Sequence, residues 1–158
     1  MRYSHPQIYL QEVPDEISLG ISISGCQIKC KDCHSKITWN KEYGEELDPL
    51  TLDILIKRNK HISCILFFGG EWHEQELYLY LKLIKERYKL KTALYSGSDN
   101  LNVNLMEYLD YYKTGPYIAK NGGLDSKNTN QKFFKIHYTK STICVTDYTY
   151  KFKQKEWL

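Results

Sequence analysis

Between Ile17 and Lys113 the chain alternates segments of two-residue and helical period, and that alternation restricts the folds open to it more than any other feature. Ile17 to Ser24 (ISLGISIS) places apolar residues at every second position, the signature of a strand with one buried face. Ile62 to Phe68 (ISCILFF) is short, nearly all apolar, and β-branched or aromatic, which predicts a strand covered on both sides. Leu90 to Tyr95 and Tyr111 to Lys113 read as a third and a fourth strand. Asp48-Pro49 opens a helix: Asp accepts the orphan backbone N–H bonds, Pro occupies the first helical position, and Leu52, Leu55 and Ile56 share a face. From Glu74 to Tyr88, Leu77, Leu81, Ile84 and Tyr88 recur at helical spacing, and Val103 to Leu109 forms a short helix. Strands that alternate with helices over short connections require right-handed crossovers onto a parallel sheet. A doubly wound sheet and an incomplete (βα) barrel both meet that requirement.

The remaining chain adds less. Gly122-Gly123-Leu124 and the polar stretch Asp125 to Gln131 read as an ordered loop, followed by strand-like Phe133 to Tyr138 and Thr142 to Val145. Tyr150 to Leu158 has no period and reads as a loose tail or a partner contact. A length of 158 residues predicts one domain, with a core over 11–147 and a tail over 148–158. The net charge of +3 is spread along the chain and makes no case for nucleic acid or a membrane surface. The polar N-terminal stretch has no signal-peptide apolar region, and the longest apolar run, Cys64 to Phe68, is too short to span a bilayer. A cytoplasmic protein is expected. In that reducing compartment five cysteines, an odd number, read as metal ligands or redox groups rather than a disulfide framework.

In parallel α/β folds, sites form at the carboxyl ends of the strands. Those ends carry Cys26, Gly69-Gly70-Glu71 and Ser96-Gly97. Cys26, Cys30 and Cys33 form C-x3-C-x2-C within SGCQIKCKDCHSKITW, a stretch short enough to turn three thiolates toward one point. Soft thiolates select iron-sulfur clusters, zinc or copper(I). Three of them leave one iron of a cubane cluster open to a further ligand. A zinc site would need His34 as fourth ligand, although adjacent ligands such as Cys33 and His34 rarely bind one ion. Cys64 and Cys144 lie in apolar strand-like runs and are expected in the core, and Trp39 is expected to pack beneath the cysteine loop.

The cysteine spacing after a first strand, with Gly69-Gly70-Glu71 after the second, resembles the radical S-adenosylmethionine (SAM) superfamily. Within it, SGCQIKCKDCHSKITW and DYYKTGPYIAKNGGLDSKNTNQKFFKI are similar to the cluster loop and carboxyl-terminal signature of the activating proteins of anaerobic ribonucleoside-triphosphate reductase. The resemblance covers about residues 11 to 138. It implies an incomplete parallel barrel in which Cys26, Cys30 and Cys33 hold a 4Fe-4S cluster whose fourth iron chelates SAM. Reductive cleavage of SAM would yield a 5′-deoxyadenosyl radical that removes a hydrogen atom from a glycine of the reductase large subunit. An electron donor such as flavodoxin or ferredoxin is implied as a second partner. The resemblance places Gly69, Gly70 and Glu71 around the methionine half of SAM, and makes Ser96, Gly97 and His34 further contacts, His34 toward the adenine. No general base is required. The alternatives are a radical SAM enzyme acting on a small molecule, similar to deazapurine-forming synthases, and a zinc-binding module without catalysis. Two departures stand out: Trp72 replaces a common Pro, and QEVPDEISLG lacks the glycine-rich, arginine-bearing segment that many activating proteins carry before the first strand.

Overall fold

The computed structural model describes residues 1–100, 102–139 and 142–153. In chain order the strands are β1 (Arg2–Tyr9), β2 (Ser18–Ile23), β3 (Glu45–Glu46), β4 (Cys64–Phe68), β5 (Lys91–Tyr95), β6 (Tyr111–Thr114), β7 (Lys132–Tyr138) and β8 (Ile143–Asp147). The α-helices are α1 (Pro49–Arg58), α2 (Glu74–Leu83), α3 (Val103–Met106) and α4 (Tyr150–Lys153). All strands join one sheet in the order β3-β1-β2-β4-β5-β6-β7-β8.

The four strands anticipated from the alternating pattern, β2, β4, β5 and β6, are the parallel part of this sheet. They lie in consecutive order, without the reversal that defines a doubly wound sheet. Their residues sort by parity. Leu19, Ile21, Ile65, Phe67, Leu94 and Tyr112 pack with Leu52 and Ile56 of α1, Leu77 and Leu81 of α2, and Leu105 and Met106 of α3. Cys64, Leu66, Ala93 and Tyr111 point to the opposite face, which Val13, Leu124, Phe133 and Phe152 cover. Each fully buried Leu or Ile contributes about 1.5–3 kcal/mol, so the helix-bearing face dominates stability. Helix α1 begins as expected: Asp48 accepts the Thr51 N–H at 2.6 Å and Pro49 stands at the first position.

The flanks depart from an all-parallel sheet. β7 runs antiparallel to β6 because the connection between them holds only a 3₁₀ turn, Ala119–Asn121, and no crossover helix to carry the chain back. On the other side β1 pairs antiparallel with β2 and β3. The core therefore starts near the amino terminus rather than at residue 11. β1 is hard to read from sequence because its register breaks between Ser4 and Gln7, where His5-Pro6 forms a bulge that accommodates a residue without an N–H. Two further expectations fail. Cys144 is exposed rather than core, since β8 is an edge strand of the sheet and every residue of it is exposed. The expected tail is ordered over its first part: α4 buries Phe152 against Phe133, with ring centroids 5.0 Å apart. Residues 154–158 lie outside the described residues. The Glu74–Tyr88 helix is α-helical to Leu83 and closes in a π turn, Ile84–Tyr88, before Lys89 in the left-handed region. Among the described residues no helix is long and apolar enough to cross a membrane.

Candidate functional site

The parallel register sets Ser22, Phe68, Tyr95 and Lys113 in one row across β2, β4, β5 and β6, on the face away from the helices. Everything that follows that row emerges at one edge, so the Cys26 loop, Gly69-Gly70-Glu71, Ser96-Gly97 and Thr114-Gly115 are neighbours although they are far apart in sequence.

The cysteine loop is pinned at its base. The buried Thr38 accepts, through its carbonyl, the N–H groups of Gly25 (2.7 Å) and Cys26 (3.1 Å), and its hydroxyl donates to the Ser35 carbonyl at 2.8 Å. Thr38 rather than Trp39 is thus the hydrogen-bonded anchor, while Trp39 is half-buried beside it. Between these points Cys26, Cys30 and Cys33 are free, half-exposed thiols. Cys33 N–H donates to the Cys30 carbonyl at 3.0 Å, and Cys33 Sγ accepts the Ser35 N–H at 3.3 Å. Burial pushes the Cys26 thiol up, and the backbone N–H groups of Lys29 and Ile28 act in the other direction by bonding the thiolate. In iron-sulfur proteins N–H to sulfur bonds of this kind tune the potential of the cluster the thiolates bind. Among the described residues, no three His, Cys, Asp or Glu side chains are gathered at metal-holding distance. The loop brings the three thiols to the same edge without closing them on a point.

At the second strand end Gly69 (φ 81°) and Gly70 (φ 110°) are both left-handed, a backbone only glycine adopts without strain. The Trp72 indole fills the space above Gly69, where a Cβ would stand 2.4 Å from the ring. Its Nε1 donates to the Ser24 carbonyl at 2.9 Å, tying the β4 end to the start of the cysteine loop. Trp72 therefore fixes the turn from which Glu71 projects. The same turn aims Glu71 at the third strand end. Glu71 Oε1 accepts the Ser96 hydroxyl at 2.6 Å, and Ser96 Oγ accepts the Ser98 N–H at 2.9 Å. Glu71 Oε2 is buried with no hydrogen-bond partner among the described residues. A carboxylate oxygen held dry in this way suits an ammonium ligand. Ile28 of the cysteine loop packs over Gly97, within 3.1 Å of where a Cβ would be.

Lys113, at the fourth strand end, was anticipated only as a strand residue. It is buried, and its Nζ donates to the Gly115 carbonyl at 2.6 Å and lies 3.4 Å from the Ser96 carbonyl. Burial pushes its ammonium down to about 8, against the opposing pull of Cys30, Glu71 and Asp99. A lysine on the inward parity of YYKT was the signal available in sequence.

Beside the edge lies a cavity of about 560 Å³, lined by residues including His34, Tyr95, Tyr117, Leu124, Gln131 and Phe152. His34 is exposed and its ring sits 4.6 Å from that of Tyr117, bringing the cysteine loop against the segment after β6. Asn130, within the carboxyl-terminal signature, ties that segment together: its Nδ2 donates to the Pro116 carbonyl at 2.9 Å and its Oδ1 accepts from Asn121 at 3.0 Å.

Residues 17–132 match a family described as the 4Fe-4S single cluster domain. The chain belongs to this family. The match starts at the first parallel strand and ends as β7 begins, so it contains the cysteine loop and all four strand ends described above. No curated protein and no solved structure matches the chain. For a 4Fe-4S cluster domain the ligands at hand are Cys26, Cys30 and Cys33. Cys64 opens β4 at the opposite end of the sheet, fully buried with its thiol pushed up by burial, and Cys144 stands on the far outer strand. The donor set fits a cluster with three protein ligands.

Proposed function

We propose that this 4Fe-4S cluster protein is a radical SAM activating enzyme that installs a glycyl radical on anaerobic ribonucleoside-triphosphate reductase. The sheet edge serves as the open side of an incomplete barrel. The observation that carries the reading is the buried, unpartnered Glu71 Oε2, set at a glycine turn beside the three-cysteine loop. A cluster site with no organic ligand has no need for a dry carboxylate aimed at its edge. When bound, the cluster supplies one low-potential electron, which SAM cleavage converts into removal of a hydrogen atom from a glycine.

This chain's own residues bind, orient and exclude water. Cys26, Cys30 and Cys33 would hold the cluster, and with three protein ligands a cubane cluster would have one position to offer SAM. Glu71 receives the amino group, with Ser96 fixing the carboxylate's orientation through Oε1. The backbone of Gly69 and Gly70 lets the methionine half approach closely, and Trp72 and Ile28 pack the cysteine loop against the second and third strand ends. The cavity between His34, Tyr117 and Gln131 receives the glycine-bearing segment of the target. A flavodoxin or ferredoxin in the cytoplasm supplies the electron.

The test is anaerobic incubation of the reconstituted protein with SAM, a reductant and the reductase large subunit. The glycyl-radical doublet in the electron paramagnetic resonance spectrum is the expected result. Formation of 5′-deoxyadenosine without that doublet would overturn the activase assignment in favour of a small-molecule substrate.

A further inference from the structure

Taken segment by segment, the charge of this chain is unevenly placed. Between Cys26 and Lys41 stand Lys29, Lys31, Lys36 and Lys41 against Asp32 alone, so this one segment carries the entire net charge of +3 and the rest of the chain is neutral. All four lysines are exposed, and among the described residues none of their ammonium groups is in a hydrogen bond or an ion pair; Lys36 lies 5.8 Å from the centre of the Trp39 ring. In the acidic stretch that follows, Glu45 bonds Tyr3 and Asp48 caps α1. The segment also closes on itself. The Thr38 carbonyl takes the N–H groups of Gly25 and Cys26, and Lys41 stands beside that closure, its Cβ 3.6 Å from where a Gly25 Cβ would be. Ile28 over Gly97 and His34 against Tyr117 face the strand ends and the cavity. Ile37, on the same 3₁₀ turn as Lys36, is 54% exposed. Folding gains nothing from four like charges without counter-charges, whereas an open aliphatic side chain among unpaired cations has the composition of an interface. The three half-exposed thiols lie within this segment, so a molecule docked on it sits over the redox centre. A nucleic acid would match the charge alone: the segment has no arginine to grip phosphate, and its Trp39 ring is half-buried rather than free to stack.

We propose that the solvent-facing side of the cysteine loop, with Lys29, Lys31, Lys36, Lys41 and Ile37, is the docking surface of an acidic one-electron carrier protein, separate from the cavity beside His34 and Tyr117 that receives the target. This rests on the reading that the cluster is reduced by a carrier, and it names the place where the electron enters. One electron leaves the carrier and enters the cluster; no bond and no proton moves. Complementary charge steers the carrier onto the loop and fixes its orientation there.

The experiment uses the anaerobically reconstituted protein and, as probe, an acidic flavodoxin. The loop variant combines Lys29→Gln, Lys31→Gln, Lys36→Gln and Lys41→Gln. A control variant removes as many charges on and after α1 and α2, through Lys57→Gln, Lys60→Gln, Lys82→Gln and Lys89→Gln. Binding of oxidised flavodoxin is measured at low and high salt, alongside iron and sulfide content and the potential of the cluster. An exposed charge pair contributes severalfold or less, so the four together should make the loop variant bind about tenfold to a hundredfold more weakly at low salt. Wild type should lose affinity to a similar extent as salt is added, and the control should match wild type. Carbodiimide coupling of the wild-type complex, which needs no variant to fold, should join flavodoxin carboxylates to the loop lysines. Equal binding by the loop variant and wild type overturns the proposal, whether or not the cluster potential moves, and so do cross-links confined to other lysines. Binding of a single-stranded oligonucleotide in place of flavodoxin overturns it as well. If wild type binds no flavodoxin yet forms 5′-deoxyadenosine with a chemical reductant, the docking surface falls and the SAM reading stands. If it binds flavodoxin through the loop and forms no 5′-deoxyadenosine, the docking surface stands and the SAM reading falls.

Discussion

Cys26, Cys30 and Cys33 differ from Cys64 and Cys144 in what surrounds each sulfur. The first three are half-exposed at a sheet edge, Cys64 is sealed under the opposite face, and Cys144 faces solvent on an edge strand. Serine at any of the first three positions should therefore reduce bound iron to background, while Cys64→Ala and Cys144→Ala retain full iron and sulfide. Alkylation of the native protein checks the same contrast: Cys144 should react and Cys64 should not, since burial keeps it as a protonated thiol. Gly69→Ala forces a side chain into a left-handed turn and against Trp72, and should lower stability by about 1–3 kcal/mol with loss of SAM binding. Spacing made the three cysteines legible. Whether a cysteine in an apolar run is buried depends on where its strand sits in the sheet, and ICVTD sits at the rim, a position of Cys144 that its apolar neighbours do not reveal. Lys113 escaped because its burial between the Ser96 and Gly115 carbonyls is a fact about three-dimensional neighbours.

At the level of elements, the parallel strands and α1 follow from period and capping, both local properties. Asp48 illustrates the cap: the Thr51 N–H holds its carboxyl below the usual carboxylate range. Its contribution is present above about pH 4, where the unfolded carboxyl titrates, and is lost as pH falls through the lowered folded value. The melting gap between wild type and Asp48→Ala should accordingly be open at neutral pH and shrink on acidification. β1 and α4 were not legible, because a bulge hides one and a single buried aromatic ring holds the other. Phe152→Ala should cost about 3 kcal/mol in denaturant unfolding; an unchanged midpoint would mean that α4 does not dock. Asn130→Ala should loosen the segment beside the cavity, lowering glycyl-radical yield severalfold while SAM cleavage without target stays near wild type.

For the whole molecule, the register of four parallel strands turns separate motifs into one site. Strand order and the alternation of faces place helices on one side and leave the other side's carboxyl edge for chemistry. Sequence carries the motifs and the order of elements, but the Glu71–Ser96 bond joins residues 25 apart and exists only once β4 and β5 pair in register. The central claim is that this edge binds a three-cysteine 4Fe-4S cluster with an iron open to SAM. Anaerobic reconstitution followed by reduction in the presence of SAM tests it directly, with 5′-deoxyadenosine as the product measured. The account predicts about four irons per chain, visible absorbance, and 5′-deoxyadenosine that disappears in Cys30→Ser. A colourless protein holding one zinc per chain and forming no 5′-deoxyadenosine would contradict it.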